Sequence, residues 1–177
     1  MTQSRQTIGR IRLTTGDITR LKVAAIVNAA NASLLGGGRV DGAIHRAAGP
    51  KLLTECRKLG GCPPGEARLT RGHRLPASHV IHTVGPIWRG GAAGEPQILE
   101  SCYRSCITIA RRQEFRDIAF PAIATGVYGF PREAAARIAV ATVVAQLAEQ
   151  HFPELAIFVC FDTATLDAYR NALELIA

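Results

Sequence analysis

Ile26-Val27-Asn28-Ala29-Ala30-Asn31, then Ala32 to Leu35, then Gly36-Gly37-Gly38-Arg39-Val40-Asp41-Gly42-Ala43-Ile44-His45, is the stretch that decides the fold. A short apolar run enters a glycine cluster, and a helical pattern leaves it. Glycine admits backbone conformations closed to other residues and lets N–H groups approach a ligand closely. The N-terminus of the helix behind the cluster favours an anion such as phosphate.

The same logic recurs further along. Ile118 to Ile123 reads as a strand, Ala124-Thr125-Gly126-Val127-Tyr128-Gly129-Phe130 as a loop, and Pro131 opens a helix. In a parallel sheet both loops lie beyond the carboxyl ends of their strands, where open α/β folds bind ligands. Two such loops can grip a diphosphate from both sides. Neither is a Walker A loop, since no Gly-Lys-Ser/Thr follows, and neither matches GxGxxG. Either cluster alone reads equally well as a tight turn; the pair, flanked by polar residues, favours a site.

Outward from these loops, candidate strands are Ile8–Thr14, Ala25–Asn28, Ala67–Thr70, His79–Val84, Ile118–Ile123 and Ala156–Phe161. Candidate helices are Asp41–Leu59, Pro96–Gln113, Pro131–His151 and Thr163–Ile176. The alternation predicts an α/β domain with a mostly parallel sheet flanked by helices. In the helix after Pro131, Ala134, Ile138, Ala141, Val144, Ala145 and Ala148 form the expected apolar face. The glycine-rich connectors Leu59–Gly65 and Trp88–Pro96 are too short to separate domains, so residues 1–177 are read as one domain.

Composition agrees. Hydrophobic residues make up 47% and charged residues 20% of the 177 positions, ordinary values for a globular protein. No apolar run approaches the roughly 20 residues that span a bilayer. Arg5, Arg10 and Arg12 interrupt the start of the chain, so no signal peptide is read there and a cytoplasmic protein without membrane association is expected. The five cysteines (Cys56, Cys62, Cys102, Cys106 and Cys160) form no CxxC and are expected to be reduced. No metal-ligand spacing occurs. The net charge of +7 points to anionic partners, carried almost wholly by arginine, which pairs well with phosphate. Its spread along the chain suits a nucleotide, or weak RNA binding, and does not choose between them.

Several segments resemble MacroD-type macrodomains. Asn28-Ala29-Ala30-Asn31, the glycine run and Val40-Asp41-Gly42-Ala43-Ile44-His45-Arg46-Ala47-Ala48-Gly49 resemble the first family signature. Gly16-Asp17-Ile18-Thr19 resembles the adenine-recognition turn, and His82-Thr83-Val84-Gly85-Pro86 and Ala124 to Gly129 resemble two later blocks. The resemblance implies a three-layer α/β/α fold with a central mixed, mostly parallel sheet, and a cleft for ADP-ribose. It implies deacetylation of O-acetyl-ADP-ribose and removal of mono-ADP-ribose from acidic side chains of modified proteins, with no metal and no other cofactor. It further implies that Asp17 accepts the adenine amino group and that the Ile18 N–H donates nearby. Gly37, Gly38, Val40, Thr125, Gly126, Val127 and Tyr128 would enclose the diphosphate and distal ribose, with Asn28 assigned to the same binding set and partly to turn chemistry. Asn31 would orient the distal ribose, Asp41 would polarise the attacking water, and Phe161 would pack against adenine.

Arg39 departs from the family, which usually has a fourth glycine there. A buried, unpaired guanidinium would be very costly, so Arg39 is expected to reach solvent at the cleft mouth. The chemistry asks little of the protein: a carboxylate to orient water, and fixed donors to hold the pyrophosphate. Asp41 can be that carboxylate, or merely the helix cap. His45, one turn on, and His82, within a strand, read as supporting residues. A noncatalytic ADP-ribose reader remains the nearest rival, and an RNA- or poly(ADP-ribose)-binding module a further one. With aromatics at only 6%, the stacking series expected of a single-strand binder is missing.

Overall fold

Alternation along the strands puts one set of side chains under each helical layer. The computed structural model describes residues 5–177. Seven strands, β1 (Arg5–Ile8), β2 (Ile11–Thr15), β3 (Ala25–Ala30), β4 (Ala67–Arg71), β5 (His79–Val84), β6 (Asp117–Phe120) and β7 (Leu155–Cys160), form one sheet in the order β1-β2-β7-β6-β3-β5-β4. The five central strands run parallel, and β1 and β4 pair antiparallel at the two edges.

Val27, Ile81, Ile118, Phe120 and Phe158 point to one face, where α3 (Glu95–Arg112), α4 (Arg132–Glu149) and α5 (Thr163–Glu174) cover them. Ile26, Val80, Ala119 and Ile157 point to the other, under α1 (Arg39–Ala48) and α2 (Pro50–Arg57). Two cores on opposite faces of a mixed sheet make the three-layer α/β/α arrangement expected from the sequence.

Three local expectations need correction. The strand Ile8–Thr14 is a hairpin: Gly9, at φ 56°, turns the chain between β1 and β2. The helix Asp41–Leu59 is two helices, because Gly49 at φ 82° ends α1 and Pro50 restarts the chain as α2. The apolar face of α4 is also different. Ala135, Ala136, Ala139, Val140, Val143 and Leu147 are buried, whereas Ala141, Ala145 and Ala148 face solvent and Ala134, Ile138 and Val144 lie at the margin. Alanine and valine surround this helix, so spacing alone does not single out the inner side.

Some of the basic charge is structural. The Arg10 guanidinium donates to the carbonyls of Leu147, Gln150, His151 and Pro153, satisfying chain ends after α4 that would otherwise lack donors.

Candidate active site

The site follows from how the sheet is threaded. From β3 the chain passes through α1 and α2 toward β4 and β5, whereas from β6 it passes through α4 in the opposite direction, to β7. β3 and β6 are therefore neighbours at a topological switch point. They pair only through Ala25 with Ile118 and Ile26 with Ala119, and β6 ends one residue later. The gap between their carboxyl ends opens into a cavity of about 860 Å³.

Its walls bring together almost all the residues singled out from the sequence. Asp17, Ile18 and Phe161 lie on the lining with Asn31, Gly37, Gly38, Arg39, Val40 and Asp41 of the first loop and helix, and Thr125, Gly126, Val127 and Tyr128 of the second loop. Asn28 does not reach the cavity; it is fully buried in β3, behind the wall. Its place as a substrate contact is thus corrected to one of support. Arg46, Arg132, Asp162 and Thr165 also line the cavity and were not anticipated. The position of Arg132, directly after Pro131 at the start of the helix following the second loop, was the available signal.

Asp41 stands at the third position of α1, and Gly38 is the N-cap. The reading of Asp41 as the cap therefore fails. The side chain is nearly enclosed, and its Oδ1 accepts a hydrogen bond from Asn28 Nδ2 at 2.8 Å. Oδ2 turns toward the first loop: a Cβ on Gly37 would lie 3.0 Å from it and 3.4 Å from Asn31 Nδ2. Gly37 thus leaves the space in which Asp41 and Asn31 converge. The loop lies close on the helix, since a Cβ on Gly42 would come within 2.6 Å of the Gly37 carbonyl oxygen. Asn31 is held by donation to Gly36 O at 2.9 Å and by acceptance from Ser33 Oγ at 2.7 Å. His45 Nε2 comes within 3.4 Å of Asp41 Oδ1 but makes no hydrogen bond.

At the other end, Asp17 Oδ1 accepts from the N–H and hydroxyl of Thr19, capping the 3-10 turn Ile18–Arg20. Oδ2 lies on an exposed edge, 3.7 Å from Arg20 Nε. Turn chemistry and a place on the cavity wall coexist in this one carboxylate. Phe161, 93% exposed, presents a bare ring just past β7. Asp162 caps α5 by accepting from Thr165 N at 2.8 Å, and the Thr165 hydrogen bonds hold its pKa below the usual range.

The second loop is closed by Gly129 N donating to Gly126 O and Phe130 N to Ala124 O, both at 3.0 Å. Trp88 N donates to Tyr128 O at 2.8 Å, so the β5–α3 connection braces it. Arg39 spans the two loops. It is exposed at the cavity mouth, as expected, but its side chain lies against Gly126 rather than free in solvent. Its φ of 52° also explains why glycine suits this position.

None of the cysteines is placed to act as a nucleophile. All five are free and buried, and burial pushes the Cys56 thiol up to about 11 and that of Cys160 to about 12. Among the described residues no group of three or more His, Cys, Asp or Glu side chains is disposed to hold a metal ion. No described helix is long and apolar enough to cross a membrane.

A switch-point cleft flanked by two glycine loops defines an open α/β protein with its cavity at the carboxyl ends of the strands. Residues 27–139 match the macro domain family. The chain is 60% identical over 157 residues to a macro domain-containing protein of Chlorobaculum tepidum, spanning 89% of this chain and 91% of that one. It is 54% identical over 168 residues to an O-acetyl-ADP-ribose deacetylase of Salmonella gallinarum, spanning 93% and 94% of the two chains. Among solved structures, the Oceanobacillus iheyensis macrodomain with ADP superposes with a TM-score of 0.92 at 38% identity, over 99% of this chain and 96% of that one. The Trypanosoma brucei macrodomain in complex with ADP-ribose gives 0.87 at 44% identity, over 93% of this chain and 69% of that one. The chain belongs to the macro domain family.

Proposed function

We propose that this macrodomain binds ADP-ribose in the cleft and hydrolyses ADP-ribose esters, both O-acetyl-ADP-ribose and mono-ADP-ribose carried on acidic side chains of proteins. Adenine would lie between Asp17 and Phe161, the diphosphate between the two glycine loops, and the distal ribose beside Asn31. Water added across the ester yields the free acid and ADP-ribose. Asp41 would accept a proton from that water as it attacks, and Asn31 would hold the ribose in line. The observation that carries the reading is the convergence of Asp41 Oδ2 and Asn31 Nδ2 on the space above Gly37, at the wall of a cavity that both glycine loops flank. The names of the Salmonella relative and the ligands of the solved macrodomains point the same way.

The test compares the wild type with Asp41→Ala on O-acetyl-ADP-ribose and on a mono-ADP-ribosylated protein. Turnover is expected to fall by at least about a hundredfold, the range for loss of a general base, while calorimetry finds ADP-ribose affinity largely kept. Near-normal turnover in the variant would remove Asp41 from the chemistry. Absence of turnover in the wild type, with ADP-ribose still bound, would leave a noncatalytic reader, the alternative favoured by the Arg39 side chain at the cavity mouth.

A further inference from the structure

Behind Asp41 lies a buried polar chain that the proposed reaction does not itself use. The β3–β5 register sets Asn28 directly opposite His82. Both side chains fall on the sheet face beneath α1, otherwise lined by Ile26, Val80 and Val84. Asn28 Nδ2 donates to Asp41 Oδ1 at 2.8 Å and lies 3.2 Å from His82 Nδ1. His82 Nε2 lies 2.9 Å from Thr70 Oγ1 and 3.8 Å from Cys56 Sγ.

The protons can be assigned from these contacts. Turning the Asn28 amide over would set its oxygen against a carboxylate oxygen, acceptor facing acceptor, so the nitrogen must face Asp41. An amide nitrogen can only donate, so His82 Nδ1 must accept. The ring proton is then on Nε2 and is given to Thr70. Burial, with a smaller contribution from the charge of His45, pushes His82 down to about 3, which keeps the ring neutral and its Nδ1 able to accept. Asn28 Oδ1 is buried without a partner. The amide plane is therefore set by its nitrogen's two hydrogen bonds alone, one to Asp41 and the other to His82.

We infer that His82 is a positioning residue: through the Asn28 amide, which holds the ring in its Nε2–H tautomer, it fixes the Asp41 carboxylate, and Thr70 accepts the proton on Nε2. The effect on turnover rests on the hydrolase reading above; the proton assignment does not. A buried polar chain on an otherwise apolar sheet face is costly unless each link is satisfied. Here the one unsatisfied atom is the side of Asn28 turned away from the chain.

The test begins with nitrogen NMR of protein labelled at histidine, near neutral pH. His82 is expected to carry its proton on Nε2, with Nδ1 bare. Thr70→Val keeps the side-chain shape but leaves the Nε2 proton without its acceptor; the ring should shift and the Asn28 side-chain amide resonances should move. Turnover of O-acetyl-ADP-ribose should fall on the order of tenfold, the lower end for loss of an outer-shell partner, with the ADP-ribose dissociation constant unchanged. His82→Gln, whose carbonyl can accept from Asn28, should retain more turnover than His82→Leu at matched melting temperature. A proton on Nδ1, or unmoved Asn28 resonances in Thr70→Val, overturns the inference even if no turnover is measurable. If Asp41→Ala abolishes turnover but the His82 and Thr70 variants do not lower it, positioning fails and the hydrolase reading stands. If Asp41→Ala is fully active, both fail and only the tautomer assignment remains.

Discussion

Arg39, where the first loop enters α1, lies across Gly126, in the second loop: a Cβ on Gly126 would sit 3.3 Å from both Arg39 Cδ and Nη1. The contact joins the two walls of the cleft at its mouth, through a residue whose backbone occupies the left-handed region at φ 52°. That conformation costs a non-glycine residue about 1–2 kcal/mol, while glycine loses about 0.5–1 kcal/mol more entropy on folding. Arg39→Gly should therefore raise stability by roughly 0.5–1 kcal/mol, or about 1–4 °C in melting temperature for a chain of this length. ADP-ribose affinity should drop modestly and become less sensitive to salt, because an exposed cation at the mouth is lost. Turnover should be equal or faster. Abolished turnover with binding intact would place Arg39 in the chemistry itself.

Gly37 makes a sharper test of the site geometry. Its backbone does not require glycine, yet an added methyl would press on Asp41 Oδ2 and crowd Asn31 Nδ2. Gly37→Ala should fold with nearly normal stability and lose most of its turnover. Equal loss of stability and activity, read by denaturation and by hydrolysis of O-acetyl-ADP-ribose, would mean that the loop rather than the carboxylate had been disturbed.

Asp17 has two jobs that two substitutions can separate. Asp17→Ala removes both the cap on the Ile18–Arg20 turn and the proposed adenine contact, weakening ADP-ribose binding by about 1–3 kcal/mol and stability by about 1 kcal/mol. Asp17→Asn keeps an oxygen for Thr19 and should spare stability while still weakening binding. An unchanged dissociation constant in both variants would remove Asp17 from the ligand site.

His82 gives stability a definite pH dependence. Its folded pKa of about 3 lies below the ordinary 6.5, so the unfolded chain binds a proton that the folded chain refuses. Stability is therefore full above 6.5 and falls as pH drops through the window toward 3, by about 1.4 kcal/mol per pH unit from this group alone. His82→Gln lacks the term. Urea midpoints of wild type and variant should converge as the pH is lowered from about 7 to 5; a constant separation would show that His82 does not titrate as its burial requires.

The sequence made the site more legible than the structure behind it. Both glycine loops, Asp17, Asp41 and Asn31 sit at strand-to-helix transitions, and such transitions leave marks in composition. Asn28 and His82 are a cross-strand pair separated by 54 positions, and register between distant strands leaves no local trace. Ala48-Gly49-Pro50 did carry the signal that ends α1, but the apolar periodicity of residues 41–59 ran through it. In α4 the miss has a different cause. With small apolar residues on every side, the helix is oriented by what packs on it, namely α3 and α5, not by its own pattern.

The short pairing of β3 with β6 has a mechanical consequence. Past Ile26 and Ala119 no backbone pairing joins β3 to β6, which ends at Phe120. A ligand of the kind proposed above would bridge both walls there. A ligand held by both walls would then stiffen the protein as well as fill the cleft, adding to the ties that Arg39 and Trp88 already make.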